Sequence, residues 1–340
     1  MGVGHFIKSL SEANGGQYEE IRTEKKRRTT HKPVIALASS IMTDIIGDAE
    51  ALKRDFPDFD PGRRYNLSDF PAGFEPSFGG GGPNIAYNLA MLGLSAVILG
   101  QTGNDFAPYE KRLKNHRIDV SWVRKHPEEP GSYVVITNNG NGDQSFYTSY
   151  CTFDLDYCRV IRKIRPDWLV ISPDNGPAPS MEYVKIANEQ GIPYIFDPGQ
   201  NVEYYKIPDI IEAVRGARIV ICNEKEYEIL KKSTGMWLYG VSTLIITKGE
   251  RGVEVREKKR FTRVEAVRVD AFVEPTGAGD AFRAGLLYGL IKNWPLEKTL
   301  MFGNTVASFA VEFRGTQSHY FKRAMLKERF KDNYGEELKL

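Results

Sequence analysis

The chain carries, close to its C-terminal end, the sequence Glu274-Pro-Thr-Gly-Ala-Gly-Asp-Ala-Phe-Arg-Ala-Gly-Leu-Leu-Tyr-Gly-Leu290. Its first half, with Pro275 and small residues, predicts a tight turn, and its apolar second half has the spacing of a helix. Such a turn presents unpaired backbone N–H groups at a helix N-terminus, where the helix dipole favours an anion. Because Asp280 directly follows the turn, the stretch predicts phosphoryl transfer to an alcohol, with Asp280 accepting the hydroxyl proton.

The turn itself consists of Gly277, Ala278 and Gly279, small residues that let a ligand approach the backbone closely. We predict that their N–H groups stabilise the negative charge that develops during transfer. The alternative interpretation is that Asp280 is an N-cap on an ordinary helix and that the glycines only form a turn. The sequence contains no G-x-x-x-x-G-K-[ST] motif, which excludes a P-loop protein.

A second glycine-rich motif lies far upstream, with the sequence Gly79-Gly-Gly-Gly-Pro-Asn84-Ile-Ala-Tyr-Asn-Leu-Ala-Met-Leu-Gly93. Together with the Pro-Thr-Gly-Ala-Gly-Asp-Ala-Phe-x-Ala-Gly motif, it resembles the two signatures of the ribokinase-like (PfkB) family of carbohydrate and nucleoside kinases, in the same order. The resemblance extends from Pro33 to Phe321. It implies an ATP-dependent kinase that uses Mg²⁺ as its cofactor.

The resemblance also implies which residues contact the acceptor substrate. Gly79, Gly80 and Asn84 belong to the first signature, and family members place an Asp where Asp44 follows the first predicted strand. A carboxylate can accept hydrogen bonds from two neighbouring hydroxyl groups, which suits ribose or a hexose. The alternative interpretations are a turn-forming Asp44 and an Asn84 that caps its helix.

The nucleotide side is indicated by Cys222-Asn223-Glu224-Lys225-Glu226, which resembles the N-x-x-E motif of the family. The resemblance implies that Asn223 contacts the nucleotide and that Glu226 holds Mg²⁺ through water molecules. A glutamate in the first turn of a helix is also favoured by the dipole alone. By resemblance, Thr247, Gly249 and Asn304 also lie near the nucleotide. Phe309 would lie beside the adenine, and the alternative is that it packs in the core.

The chain departs from the family at Glu274, where family members usually carry an Asp tied to a monovalent cation. A glutamate can still ligate a cation, so dependence on K⁺ stays open. The motif Gly315-Thr-Gln-Ser-His319 is expected to close the nucleotide end near that cation. Arg283, one turn into the helix after Asp280, is expected either to face the phosphates or to form an ion pair on the surface.

The acceptor is predicted from four motifs that look most like those of the adenosine kinase-type nucleoside kinases, namely Asn84-Ile-Ala-Tyr-Asn-Leu-Ala90, Asp105-Phe-Ala-Pro-Tyr109, Asp280-Ala-Phe-Arg-Ala-Gly285 and Gly315-Thr-Gln-Ser-His319. We therefore expect transfer of the γ-phosphate of ATP to the 5′-hydroxyl of a nucleoside, adenosine first. Phe146, Tyr147 and Tyr150 would stack on a purine or pack within a hairpin. The alternatives are a sugar kinase for ribose, fructose or a keto-deoxy sugar acid, and a binding protein with an inactive site.

Short apolar strands that alternate with helical segments predict an α/β fold with a mainly parallel sheet and helices on both faces. The resemblance implies the same ribokinase-like three-layer sandwich with a small β lid. We expect a polar N-terminal extension over 1–32, a kinase domain over 33–325 with lid segments at about 45–78 and 131–151, and a helical tail over 326–340. A turn at Asn138-Asn-Gly-Asn-Gly-Asp143 marks the lid hairpin.

The composition of the chain is ordinary for a globular protein, with 41% hydrophobic and 26% charged residues. A net charge of +2 gives no reason to expect nucleic-acid or membrane partners. The odd number of cysteines, 3, without metal-ligand spacing, predicts reduced thiols in a cytoplasmic protein. The expected partners are ATP and a nucleoside or sugar, and a homodimer through the lid is an open alternative.

Overall fold

The computed structural model describes residues 32–60, 65, 69–138, 144–151, 157–174, 176–257 and 260–340. Within them, Pro33–Leu340 forms one compact unit. The predicted N-terminal extension, apart from Lys32, and residues 139–143 of the predicted turn lie outside the described residues. Among the described helices, none is both long enough and apolar enough to span a bilayer.

The secondary structure alternates strands and helices for most of the chain. The strands are β1 (Ile35–Ala38), β2 (Met42–Asp48), β3 (Glu75–Gly79), β4 (Ala96–Leu99), β5 (Gln101–Thr102), β6 (Arg124–Lys125), β7 (Ser132–Asn138), β8 (Gln144–Ser149), β9 (Trp168–Ile171), β10 (Tyr194–Phe196), β11 (Ile219–Asn223), β12 (Leu244–Thr247), β13 (Val253–Glu257) and β14 (Arg260–Val264). The α-helices are α1 (Ala49–Asp55), α2 (Gly81–Met91), α3 (Ala107–Asn115), α4 (Cys158–Ile164), α5 (Pro177–Gln190), α6 (Ile207–Gly216), α7 (Glu224–Thr234), α8 (Ala278–Ile291), α9 (Leu296–Ala310) and α10 (Arg323–Tyr334).

The central sheet has eight strands in the order β14-β13-β12-β11-β10-β9-β1-β4. The pairs from β4 to β12 are parallel, and the hairpin β13–β14 adds two antiparallel strands at one edge. The chain passes from β1 to β4 on one side and later to β9 on the other. This switch of direction opens a crevice at the carboxyl ends of the strands, where ligands of such sheets bind.

Helices cover both faces of the central sheet, as predicted. Odd positions of β1, such as Ile35 and Leu37, pack under α2, α3 and α8, while the even positions Ala36 and Ala38 pack under α4 to α7. Alternate side chains of a strand point to opposite faces, so the short apolar strands are buried on both sides. The predicted α/β fold with a three-layer arrangement is confirmed.

The lid is a separate sheet of four strands in the order β3-β2-β7-β8. One of its faces is covered by an aromatic cluster from the segment between β2 and β3, in which Phe59, Phe70 and Tyr65 contact Tyr133 and Tyr147. Tyr147 therefore packs inside the lid, which is the hairpin alternative for this residue. The side chain of Phe146 lies outside the described part of the structure.

Two strands of the lid, β2 and β3, were not predicted. They enclose the polar segment rich in proline and aspartate, whose composition masked the strands on either side. The hairpin β13–β14 also escaped prediction, because its alternating pattern contains the charged residues Glu254, Arg256, Arg260 and Arg263. An edge hairpin with one face exposed to solvent carries just this mixture of residues.

The predicted boundary between residues 325 and 326 is wrong, because helix α10 runs through it. Leu326 and Phe330 of this helix are fully buried against Phe309 and Phe321, and Leu338 beyond it is also buried. The C-terminal segment is therefore part of the folded domain and covers α9.

Replacement of Phe330, which is 0% exposed, tests this correction. Phe330→Ala leaves a cavity under α9, and we expect the free energy of unfolding to fall by about 3–5 kcal/mol. Denaturant titration measures the change, with the exposed Lys327→Ala on the same helix as the control. Equal stabilities of the two variants would show that α10 is a separate tail.

Candidate active site

A cleft of about 510 Å³ lies at the carboxyl ends of the parallel strands. The residues that follow these strands line it, namely Ser39 and Ser40 after β1, Ser172 and Pro173 after β9, Asp197 after β10, Asn223 at the end of β11 and Thr247 at the end of β12. The opposite wall is the start of helix α8, with Ala278, Gly279, Asp280 and Arg283. Because the strand ends meet at one edge of the sheet, segments far apart in sequence share this cleft.

Helix α8 begins at Ala278 after Gly277, which has a φ of 82° and is its N-cap. This left-handed conformation is strained for residues with a side chain and explains the glycine. Asp280 is the third residue of the helix, so the interpretation of Asp280 as N-cap is wrong. The Ala278 N–H donates to the Pro275 carbonyl at 3.1 Å and closes the turn. No described residue accepts a hydrogen bond from the N–H group of Gly277 or of Gly279. These two predicted donors are therefore available to a ligand.

Asp280 is held by one side chain from the upstream signature. Its Oδ2 accepts a hydrogen bond of 2.9 Å from Nδ2 of Asn84. Asn84 lies inside helix α2, whose N-cap is Gly80, so the alternative interpretation of Asn84 as an N-cap is wrong. Asn84 and Asp280, predicted on separate motifs, thus form one unit across 196 positions of sequence.

A chain of hydrogen bonds fixes which way the Asn84 amide points. Gln317 donates from Nε2 to Oδ1 of Asn84 at 2.9 Å and to the Tyr109 hydroxyl at 2.6 Å. Tyr109 in turn donates to the Gly79 carbonyl at 2.8 Å. Since the Asn84 oxygen is occupied by Gln317, its NH₂ group faces Asp280. No role was predicted for Tyr109 or Gln317 individually, although the motifs that contain them were noted.

The predicted acceptor residue Asp44 lies on lid strand β2 and is only 4% exposed. The Thr316 hydroxyl lies 3.4 Å from Asp44 Oδ2 and donates at 2.8 Å to the Phe78 carbonyl. Gly79 lies directly against the Asp44 carboxylate, and a side chain at this position would collide with it. Gly80 packs equally closely on the backbone of Ser40 and Met42. The two glycines therefore make room for the protein's own groups.

Burial raises the pKa of both carboxylic acids that meet here. The pKa of Asp280 is raised to about 6 by burial, and the Arg283 charge and the Asn84 hydrogen bond limit the increase. The pKa of Asp44 is raised to about 7 by burial and by the negative charge of Asp280. A carboxylate with a pKa near neutrality is a better proton acceptor for an alcohol than an exposed aspartate.

Asn223 and Glu226 form a reciprocal capping box at the start of α7. The Glu226 N–H donates to Asn223 Oδ1 at 2.9 Å, and the Asn223 N–H donates to Glu226 Oε2 at 2.8 Å. Both residues line the cleft as well. The pKa of Glu226 is raised to about 7 by burial and by the charge of Asp197. The helical and the ligand-binding interpretations of this motif are thus compatible.

The other predicted nucleotide residues divide into two groups. Thr247, Gly249 and Asn304 line the cleft, with Asn304 Nδ2 bonded to the Glu265 carbonyl at 2.9 Å. Phe309 is buried in the core, where the Arg329 guanidinium stacks on its ring at 3.7 Å. The structure therefore supports the core alternative for Phe309.

Glu274, the predicted cation ligand, is buried and accepts a hydrogen bond of 3.1 Å from the Gly315 N–H. The motif that starts at Gly315 continues towards the lid and α2, since Thr316 lies beside Asp44 and His319 bonds Asn88 of α2 at 2.8 Å. The expectation that Gly315–His319 closes the nucleotide end stays a prediction. This segment joins the start of α8 to α2 and the lid.

Arg283 forms a buried ion pair with Asp197, a residue for which no role was predicted. Its Nε lies 2.7 Å from Oδ2 of Asp197, and the two side chains are 11% and 5% exposed. The expectation of a surface ion pair is wrong, and Arg283 stands in the cleft wall. The signal in the sequence that could have found Asp197 is its place directly after a strand of the parallel sheet.

A second pocket, of about 450 Å³, opens beside the cleft and shares Gln200 with it. Its walls are Thr148 and Tyr150 of the lid, Gly176 and Pro177 at the start of α5, and Asn201 and Tyr204. Tyr204 is 71% exposed. An aromatic ring that stays exposed beside a cleft is a suitable contact for a planar ligand.

A magnesium ion would fit the wall that carries Glu226 and Asp197. Asp197 Oδ1 is buried and has no hydrogen-bond partner among the described residues. Besides burial, the negative charge of Asp197 raises the pKa of Glu226. A bound cation would relieve this repulsion between the two acids. Among the described residues no three His, Cys, Asp or Glu side chains form a metal-binding group. Mg²⁺ is commonly held by one or two carboxylates together with substrate phosphates and water.

The chain is similar to known proteins over most of its length. The profile of the pfkB family carbohydrate kinases matches residues 39–150 and 169–322. The nucleoside kinase of Methanocaldococcus jannaschii is 27% identical over 254 residues, which cover 71% of this chain and 82% of that protein. The ATP-dependent 6-phosphofructokinase of Thermoanaerobacterium thermosaccharolyticum is 26% identical over 266 residues, which cover 71% and 81%.

A solved structure agrees with the fold. The Burkholderia thailandensis nucleoside kinase in complex with ADP-inosine superposes with a TM-score of 0.77 at 26% identity. The superposition covers 90% of this chain and 97% of that one.

The Asn84–Asp280 hydrogen bond generates a testable titration. Asn84→Leu removes a donor to the charged carboxylate, so we expect the pKa of Asp280 to rise above about 6. Carboxyl ¹³C NMR of aspartate-labelled protein measures the titration, with Asp280→Asn to assign the signal. Asn88→Leu, which changes another buried asparagine of α2, is the matched control and should leave the midpoint in place. Identical midpoints in both variants would contradict the role of Asn84.

Proposed function

The chain belongs to the pfkB family of carbohydrate kinases and is a kinase, and we propose that it transfers the γ-phosphate of ATP to the 5′-hydroxyl of a nucleoside, adenosine being the first candidate. The observation that carries the proposal is Asp280, a carboxylate in the first turn of a helix at the wall of a large cleft. Its hydrogen bond to Asn84 joins the two signature motifs at one point.

In the proposed reaction, Asp280 accepts the proton of the 5′-hydroxyl as the hydroxyl oxygen attacks the γ-phosphorus. The bond between the γ-phosphorus and the oxygen that bridges to the β-phosphate breaks, and ADP leaves. The N–H groups of Gly277 and Gly279 and the dipole of α8 favour the negative charge of the transferred group. A residue pair at the far wall, Glu226 and Asp197, would hold Mg²⁺, which when bound neutralises phosphate charge.

The preference for a nucleoside over a sugar is supported by the second pocket. A sugar in the cleft would leave the pocket beside Tyr150 and Tyr204 empty, whereas the base of a nucleoside needs such a space next to its ribose. The nucleoside kinases among the similar proteins point the same way. A sugar kinase is the second candidate, since a fructokinase and a ribokinase are also related. The dependence on Mg²⁺ and K⁺, the cytoplasmic location and a homodimer stay predictions.

Asp280→Asn tests the catalytic assignment. The amide keeps the shape of the side chain but accepts no proton, so we expect turnover to fall by about 100-fold or more. Coupled measurement of ADP release gives the rate, and binding of ATP should change little. A variant with near-normal turnover would refute the assignment of Asp280.

A panel of nucleosides, ribose, fructose and a keto-deoxy sugar acid with Mg-ATP separates the two candidates. We expect turnover with nucleosides. Tyr204→Ala should then raise the KM for the nucleoside by about tenfold, since stacking of a base on an aromatic ring contributes about 1–3 kcal/mol. Phe261→Ala, which removes an exposed aromatic ring from the edge strand β14, is the control. Turnover with sugars alone would favour the second candidate.

A further inference from the structure

The charge of the cleft wall is unusual for a site that takes a polyphosphate. Among the described residues that line it, three are acids, Asp197, Glu226 and Asp280, and one is basic, Arg283. An acidic wall repels phosphates unless cations offset it. Arg283 is the one side chain of this wall that can attract phosphate directly.

We propose that Arg283 contacts the phosphoryl group in transfer, and that Asp197 positions it for this contact. This inference rests on the proposed kinase reaction and adds a residue to it. Arg283 follows Asp280 by three positions in α8, and side chains with this spacing lie on the same helix face. The guanidinium and the proton-accepting carboxylate therefore face the same part of the cleft.

The position of the guanidinium relative to the backbone supports the contact. A Cβ atom at Gly279 would lie 2.7 Å from Nη1 of Arg283, so the guanidinium occupies the space above Gly279. The Gly279 N–H is one of the two available donors of the turn. A phosphate oxygen beside Gly279 would thus meet a backbone donor and a guanidinium donor together.

The donors of Arg283 are only partly used within the protein. Nε faces Asp197 Oδ2 at 2.7 Å, and Ser172 Oγ donates to the same oxygen at 3.3 Å. Among the described residues none accepts from the terminal nitrogens Nη1 and Nη2. An arginine carries five N–H donors in a planar fork that matches phosphate oxygens, so this arrangement leaves the outer edge of the fork for a ligand.

The competing interpretation is that Arg283 only neutralises the buried charge of Asp197. The two interpretations differ in how the loss of Arg283 affects nucleotides with and without a γ-phosphate. If Arg283 is only a counterion, Arg283→Gln should weaken the binding of both nucleotides equally. If Arg283 contacts the phosphoryl group, the variant should weaken the nucleotide that carries the γ-phosphate more.

For Arg283→Gln we expect kcat to fall by at least about 100-fold, with the acceptor KM changed by no more than about threefold, because the contact strengthens in the transition state. Arg283→Lys keeps the charge but not the fork and should lose about tenfold. Guanidinium added to Arg283→Ala should restore part of the rate. Arg329→Gln breaks the remote ion pair with Glu312 and is the matched control for stability, with unchanged kcat. Should Arg283→Gln not fold, as judged by thermal melting, Arg283→Lys carries the test, because it keeps the charge beside Asp197.

A binding measurement separates this inference from the proposed function. Calorimetry of a non-hydrolysable ATP analogue and of ADP needs no acceptor. We expect Arg283→Gln to weaken the analogue about tenfold more than ADP, since only the analogue has a γ-phosphate. Equal weakening of both, or kcat within about threefold of wild type, overturns the role of Arg283. Absence of turnover with every acceptor overturns the proposed function instead, while the affinity ratio still decides on Arg283.

Discussion

The hydrogen bond between Asn84 and Asp280 is the interaction on which the site depends. A buried carboxylate tends to become neutral, because its charge loses the solvation of water. At Asp280 this tendency is limited by the Asn84 amide and the nearby Arg283, which leave the pKa at about 6. The group is therefore charged at neutral pH and still basic enough to accept a proton, a balance that neither burial nor hydrogen bonding alone would give.

The same electrostatic problem recurs at the other acids of the site. Asp44 and Glu226 also have a pKa raised to about 7, each by burial and by a neighbouring carboxylate. Like charges of this kind are tolerated where a ligand or cation later joins them. The cleft is thus unbalanced without its ligands, and in the proposed reaction Mg²⁺ and Arg283 together would restore the balance of charge around the phosphates.

Much of the fold could be predicted from the sequence, because its central strands are short apolar runs between helical segments. Strands β4, β9, β10 and β12 consist largely of apolar residues, which is the local signal on which the predicted sheet rested. The lid strands β2 and β3 were not predicted, because their residues mix polar and apolar types and their pairing partners are distant in sequence. The segment before α8 was predicted correctly as a turn before a helix, because glycine and helical periodicity are local signals. Which N–H groups of this turn are available to a ligand was not predicted. The hydrogen bond that engages the Ala278 N–H with the Pro275 carbonyl depends on the geometry of the turn.

The contacts that build the site are long-range, and this explains which of its residues could not be identified from the sequence. Gln317 lies 233 positions from Asn84 and 208 from Tyr109, yet it orients the Asn84 amide that faces Asp280. No local pattern can reveal a bond between a segment after α9 and a helix near the start of the domain. Local motifs identify the residues that are proposed to carry out the chemistry, whereas the residues that position them can be identified only from the folded structure. Because Gln317 follows the helix that completes the core, the Asn84 amide is fixed only once the C-terminal part of the chain is in place.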